Sequence, residues 1–235
     1  TIYWSEVSTL VTPDMWNLIG STPPKNVLAD DTLKVSDALV WSSGDIPAEG
    51  HYCFIGVLDH LADPAPVLPS PTDWDGFRSF IRGQNNVTWR NFNVVDDVFG
   101  PGPAPSFQNF LIANYPDRRR IFAFVIERRI PRGVDVWLEL PLEIANPFIG
   151  DLDLKVDVDR EKRIALILLP AAPRMVVPKV LLPAKARFRC RFHFKGLAEH
   201  GRPGNMLSIG QHFEDQEVGR VTWRFVKPRD PKDQV

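Results

Sequence analysis

Nine residues, RFRCRFHFK at 187–195, alternate polar and apolar without a break. Phe188, Cys190, Phe192 and Phe194 fall on one side; Arg187, Arg189, Arg191, His193 and Lys195 fall on the other. A period of two belongs to a strand with one buried face. The alternation recurs in DLDLKVDVD at 151–159, which predicts Leu152, Leu154, Val156 and Val158 inward and Asp151, Asp153, Asp157 and Asp159 outward. VDVWLEL, RRIFAFVIE and GRVTWRFV add short strands between turn residues. Helix signals are poor, because 22 prolines are spread along the 235 residues and each removes a backbone donor. The predicted fold class is all-β, arranged as sandwiches.

The clearest boundary is VFGPGPAPS at 98–106, where prolines and glycines interrupt any strand or helix and form a semi-rigid spacer. This predicts a first domain at 1–97, a linker at 98–106, a second domain at 107–228 and a polar tail at 229–235. Charge switches at the same point. Residues 1–97 carry 5 Lys+Arg against 13 Asp+Glu, and residues 98–235 carry 23 against 16. Opposite charge predicts that the halves attract one another or that neighbouring molecules pack head to tail. The expected interaction face comprises Arg187, Arg189, Arg191 and Lys195 on one strand and Asp151, Asp153 and Asp157 on the other. These two strands are expected to be neighbours in one sheet or to face a shared interface. In the first domain the predicted strands are TIYWSEV, MWNLIG, TLKVSDALVW, HYCFIGVL and NNVTWRNFNVV. HYCFIGVL is apolar in both alternation sets, Tyr52, Phe54 and Leu58 on one face and Cys53, Ile55 and Val57 on the other. That pattern predicts a central strand covered on both sides.

Few residues carry reactive chemistry. Cys53 lies in an apolar run, with His51 two residues away, and Cys190 lies among phenylalanines; both read as core thiols. His51, His60, His193, His200 and His212 lack zinc-site spacing. Asp59, Asp63, Asp73 and Asp75 are expected in loops, where carboxylates suit calcium, but EF-hand spacing is absent and solvated loop carboxylates are the simpler reading. No other cofactor is expected. Ser208, His212 and Asp215 have the residue types of a triad without a GxSxG turn. The prolines of the linker remove the N–H groups that a phosphate needs. No run is apolar enough for a membrane-spanning helix. Five of seven tryptophans precede residue 90. Trp4, Trp41 and Trp89 are expected in the core, while Trp16 and Trp74, near loops, are the candidates for stacking on a polysaccharide. Arg118, Arg119 and Arg120 with Arg128, Arg129 and the 187–195 ladder make the second domain basic. Its aromatics alternate inward within that strand, which argues against nucleic acid and for an acidic protein partner. Asn86-Val87-Thr88 is a glycosylation sequon.

The order of features IYWSEV, then Trp41 followed by IPAEGHYCFIGVLDHLADP, then NNVTWRNFNVVD resembles the bacterial immunoglobulin-like modules of the cell-adhesion-related (CARDB) type. The resemblance covers residues 1–97, with a fainter related sandwich in 107–228 carried by FQNFLIANYPD and GNMLSIGQHFEDQEVGRVTW. It implies two tandem immunoglobulin-like β-sandwiches in an extracellular or cell-surface bacterial protein, without catalytic residues. Domains of that type begin with two strands before the one matched by IYWSEV. The expectation is therefore that the first domain lacks its initial strands, and that an upstream segment of the same precursor, or another copy, fills the open edge by strand addition. The function expected is a non-catalytic structural, adhesion or assembly module. The alternative is a carbohydrate-binding accessory domain of a secreted hydrolase.

Overall fold

GHYCFIGV is apolar and aromatic for most of its length, and it forms β3 (Gly50–Val57) in the middle of the first sheet. The computed structural model describes residues 1–23, 36–48, 50–94, 107–149, 154–196 and 205–225. Among these, the chain is predominantly β, with three antiparallel sheets. It divides into two compact units, Thr1–Val7 with Val11–Val98, and Ser8–Leu10 with Phe99–Val235.

The first sheet has the order β2-β1-β3-β4, with β1 at Ile2–Glu6, β2 at Asn17–Gly20 and β4 at Val87–Val94. Tyr52, Cys53, Ile55 and Val57 are all buried, as expected of a central strand apolar on both faces. Leu58, expected inward, is 68% exposed because it lies one residue past the strand. Of TLKVSDALVW, residues 32–35 lie outside the described residues and 36–41 form no strand. The segment expected to be a loop around Asp73 and Asp75 instead runs into helix α1 (Trp74–Gly83). Asp73 caps it by accepting the Gly76 amide at 2.8 Å, satisfying one of the first-turn donors. Trp74, Phe77 and Phe80 recur every three residues and are buried. Trp16 links the helix to the sheet through ring contacts to Phe80 and Tyr3 at 6.2 and 5.6 Å. Among the described residues this unit has one sheet, not two.

The second unit holds two sheets. One has the order β10-β6-β12-β13, from β6 (Arg120–Arg129), β10 (Arg174–Leu182), β12 (Asn205–Phe213) and β13 (Gln216–Phe225). The other has the order β5-β11-β7-β9-β8, from β5 (Phe107–Ala113), β7 (Asp135–Pro141), β8 (Val156–Asp159), β9 (Ile164–Leu168) and β11 (Arg187–Lys195). Cys190, Phe192 and Phe194 are buried on the inner face of β11. Trp223 of β13 meets Phe110 of β5 and Phe192 of β11 at 5.5 and 5.3 Å. Helix α2 (Leu142–Ile149) adds Phe148 against Phe124. The strand over 156–159 is an edge with one neighbour, so Val158, expected inward, is 45% exposed. Two strands, β7 and β9, separate it from β11. The expected direct pairing of the acidic and basic strands is therefore wrong, although both belong to one sheet.

Ser8–Leu10 is built into the second unit. The Thr9 amide donates to Leu111 O at 2.8 Å, and the Thr9 hydroxyl donates to Gln211 Oε1 at 2.6 Å. Gln211 Nε2 in turn donates to Ala113 O at 2.9 Å. Gly219 of β13 lies under this strap, where an added Cβ would stand 1.9 Å from the Thr9 carbonyl oxygen. A second buried polar link joins Arg120, 4% exposed, to the Asp117 carboxylate.

Two outcomes follow. Overpacking costs about 1–3 kcal/mol, so Gly219→Ala should lower the melting temperature of the second unit by about 2–12 °C; calorimetry showing no change would place the strap elsewhere. Asp117→Asn removes the carboxylate charge that meets a buried guanidinium and should cost about 3 kcal/mol at neutral pH in denaturant titration. The hydrogen bond from Arg120 holds the Asp117 carboxyl below its ordinary value. Its contribution is thus present above the unfolded value of about 4 and is lost as pH falls through the folded one. Variant and parent should converge in acid.

Candidate binding surfaces

Both thiols are free and buried. Cys53 is pushed up to about 11, chiefly by desolvation, and burial pushes Cys190 higher still. Ser208 and His212 stand four residues apart on β12, roughly 13 Å at the strand rise. The Ser208 hydroxyl accepts from Arg220 Nη1 at 2.8 Å, His212 faces Glu217 at 3.5 Å, and Asp215 sits in the exposed hairpin turn. The three do not form a triad. The candidate calcium carboxylates are spread across different tasks: Asp59 accepts the Ala65 amide at 2.7 Å, Asp73 caps α1, and Asp75 lies 3.5 Å from Arg78. Among the described residues, no group of three or more potential metal ligands gathers.

The tryptophans exchange their expected roles. Trp74 is 4% exposed and so is no stacking platform, and Trp16 is half-buried, packed among Tyr3, Phe80 and Trp89. Trp89, expected in the core, is 37% exposed. Trp41 stacks on Trp4 at 5.1 Å and, with Phe54, lines an open groove of about 480 Å³ on one face of the first sheet. Ile2, Ile19 and Leu39 complete its apolar wall, while Thr88, Asp37 and Arg90 bring polar groups to it. The floor is low because Gly56 has no side chain; a Cβ there would meet Thr88 Cγ2 at 2.9 Å. This groove has no signature in the sequence beyond a glycine interrupting an apolar strand.

A second surface lies on the outer face of the five-stranded sheet. Arg187 reaches the Asn114 and Ala186 carbonyls at 2.9 and 2.8 Å. Arg189 and Lys195 are exposed. Arg191 donates to Asn109 Oδ1 at 2.7 Å and lies 4.6 Å over the Phe107 ring. His193 faces Glu139 at 2.8 Å. On the same face, β7 and β9 contribute half-buried Trp137, Leu166 and Leu168. The far edge carries exposed Asp157 opposite Leu166. Asp151 and Asp153 lie outside the described residues. The cationic face therefore does contain aromatics, contributed by neighbouring strands, but Phe107 and Trp137 are each covered by a cation of their own sheet, Arg191 and Lys155.

With Cys53 near 11, about one thiol in a thousand is ionised at pH 8. A water-soluble disulfide reagent should label neither cysteine in the folded chain and both after denaturation; fast labelling of either would overturn the core assignment. Compared with known proteins, the chain matches no family model, no curated protein and no solved structure.

Proposed function

We propose that this chain is a non-catalytic assembly module of a larger bacterial surface or secreted protein, built from CARDB-type, immunoglobulin-like β-domains and joined to other copies of itself. The observation that carries the reading is the outer face of the five-stranded sheet. Trp137, Leu166 and Leu168 lie in its middle beside Glu139, with arginines and a lysine on one side and Asp157, next to Lys155, on the other. An apolar centre with a charged rim is the anatomy of a protein interface. β11 and β8 lie three strand spacings apart, about 14 Å, so their charges do not neutralise one another by cross-strand contact. A two-fold axis through the apolar middle sets the basic side of one copy on the acidic side of the next. Arg189 and Asp157, expected on neighbouring strands or at a shared interface, thus meet at an interface between copies.

Sheet edges support the same mode of action. The edge strand β2 exposes Leu18 at 63%, and an open sheet edge is where an added strand pairs. Chemistry finds little support beside these surfaces, since both thiols are buried and the Ser208 hydroxyl is committed to Arg220.

Self-association should be strongest at low ionic strength and fall as salt is raised. Arg189→Glu and Asp157→Lys should each weaken it alone, and mixing the two variants should restore a heterodimer, because both cross-contacts then join opposite charges. Sedimentation velocity reads all three. No recovery on mixing would remove this interface, and a chain unable to associate at low salt would remove the assembly reading with it.

A further inference from the structure

An aspartyl–prolyl bond has a chemistry of its own. Before other residues, an aspartate side chain is attacked by the following backbone nitrogen and closes to a succinimide. Proline has no N–H, so that route is closed. The carboxylate is left one reaction with its own backbone: attack on the carbonyl carbon of the same residue, through a five-membered ring. The chain has two such bonds, Asp63–Pro64 and Asp230–Pro231. The second lies outside the described residues.

The first sits in a turn that holds its carbonyl. The Asp63 carbonyl oxygen accepts two hydrogen bonds, one from the His60 amide at 3.2 Å and one from Asn86 Nδ2 at 3.1 Å. Asn86 is 6% exposed, and its own carbonyl accepts the Leu58 amide at 2.8 Å, so this donor is fixed in advance. Hydrogens at a carbonyl oxygen lie near the carbonyl plane, which leaves the faces of the carbon open. Two preset donors on an oxygen that is to gain charge form an oxyanion hole. The backbone is pinned on both sides of the bond. The Asp63 amide donates to His60 O at 3.0 Å, and the Ala65 amide donates to Asp59 Oδ1 at 2.7 Å. The Asp63 side chain is exposed, and no described residue engages its carboxylate. It is free to turn on its own carbonyl.

We infer that the chain cuts itself between Asp63 and Pro64. One Asp63 Oδ attacks the Asp63 carbonyl carbon, and negative charge moves to the oxygen held by the His60 amide and Asn86 Nδ2. The C–N bond to Pro64 breaks, its nitrogen takes a proton from solvent, and a cyclic anhydride remains. Water adds to the backbone carbon, the C–Oδ bond opens, and Asp63 becomes a C-terminal residue with its side chain restored. The net reaction is hydrolysis of one peptide bond, with nothing oxidised or reduced. It goes beyond the assembly reading and does not depend on it. The sequon asparagine acquires a task other than carrying sugar, because its amide nitrogen is committed to the carbonyl that reacts.

The experiment follows the purified full chain by intact-mass spectrometry in mildly acidic buffer, with circular dichroism to report folding. Fragments 1–63 and 64–235 should accumulate at a rate independent of protein concentration. Asp63–Pro64 should be cut about a hundredfold faster than Asp230–Pro231, the size of effect that one oxyanion donor supplies. Urea should bring the two rates together. Asp63→Ala alters an exposed side chain in a turn built from backbone bonds, so it keeps the fold and should stay uncut. Asn86→Asp removes the donor with little change of shape and should slow the cut about a hundredfold. Equal rates at the two bonds in the folded chain overturn the inference, as does a preference for Asp63–Pro64 that urea leaves unchanged. Cleavage of folded Asp63→Ala, or an Asn86→Asp chain with the parent's spectrum and the parent's rate, overturns it too.

Discussion

The Thr9 hydroxyl and the Gln211 amide meet at 2.6 Å without access to solvent. Gln211 is buried on β12, facing the interior of the second unit. A buried amide there is tolerable only if its donor and acceptor capacity is met. The Thr9 hydroxyl donates to the amide oxygen, and the Ala113 carbonyl accepts a hydrogen bond from the amide nitrogen. One side chain thereby joins a strap near residue 9, the end of β5 and the middle of β12. Gly219 completes the arrangement by leaving room for the Thr9 carbonyl. The strap also explains why the boundary between the units is not a single point in the chain: Ser8–Leu10 lie within the predicted first domain and are structurally part of the second unit.

The same logic of lateral neighbours builds both candidate surfaces. No single strand carries an interface. β11 contributes cations, β7 and β9 contribute Trp137, Leu166 and Leu168, and β8 contributes Asp157; only the order β5-β11-β7-β9-β8 makes them one face. The groove is assembled likewise, from β1, β2, β3, β4 and the 36–41 segment. Its depth depends on the missing side chain of Gly56, not on the presence of a distinctive residue.

Much of the β character was legible because alternation is a local consequence of the pleat. RFRCRFHFK segregates in the fold as it does in the sequence, and both cysteines are buried where apolar neighbours placed them. Helix α1 was hidden by its setting: a proline-rich approach, two aspartates and a glycine read as loop. Its signals were nevertheless present, in the Asp73 cap and the 74–77–80 spacing. Trp16 and Trp74 were placed outside because they lie near turns, but a ring is buried according to what packs on it. Trp74 is covered in α1, whereas Trp89, on a regular strand at the sheet's edge, is left partly open.

What the amino-acid sequence determined by itself is therefore the predominantly β character and the sidedness of strands such as 187–195, since a residue's direction in a pleat depends only on its parity. It also determined the burial of the two thiols, which follows from the apolar residues beside them. The tertiary structure alone decided which strands are neighbours, that residues 8–10 belong with the second unit, which tryptophans see solvent, and where a groove opens. These depend on contacts between residues distant in the chain, and nothing in local periodicity encodes the order in which strands are laid side by side.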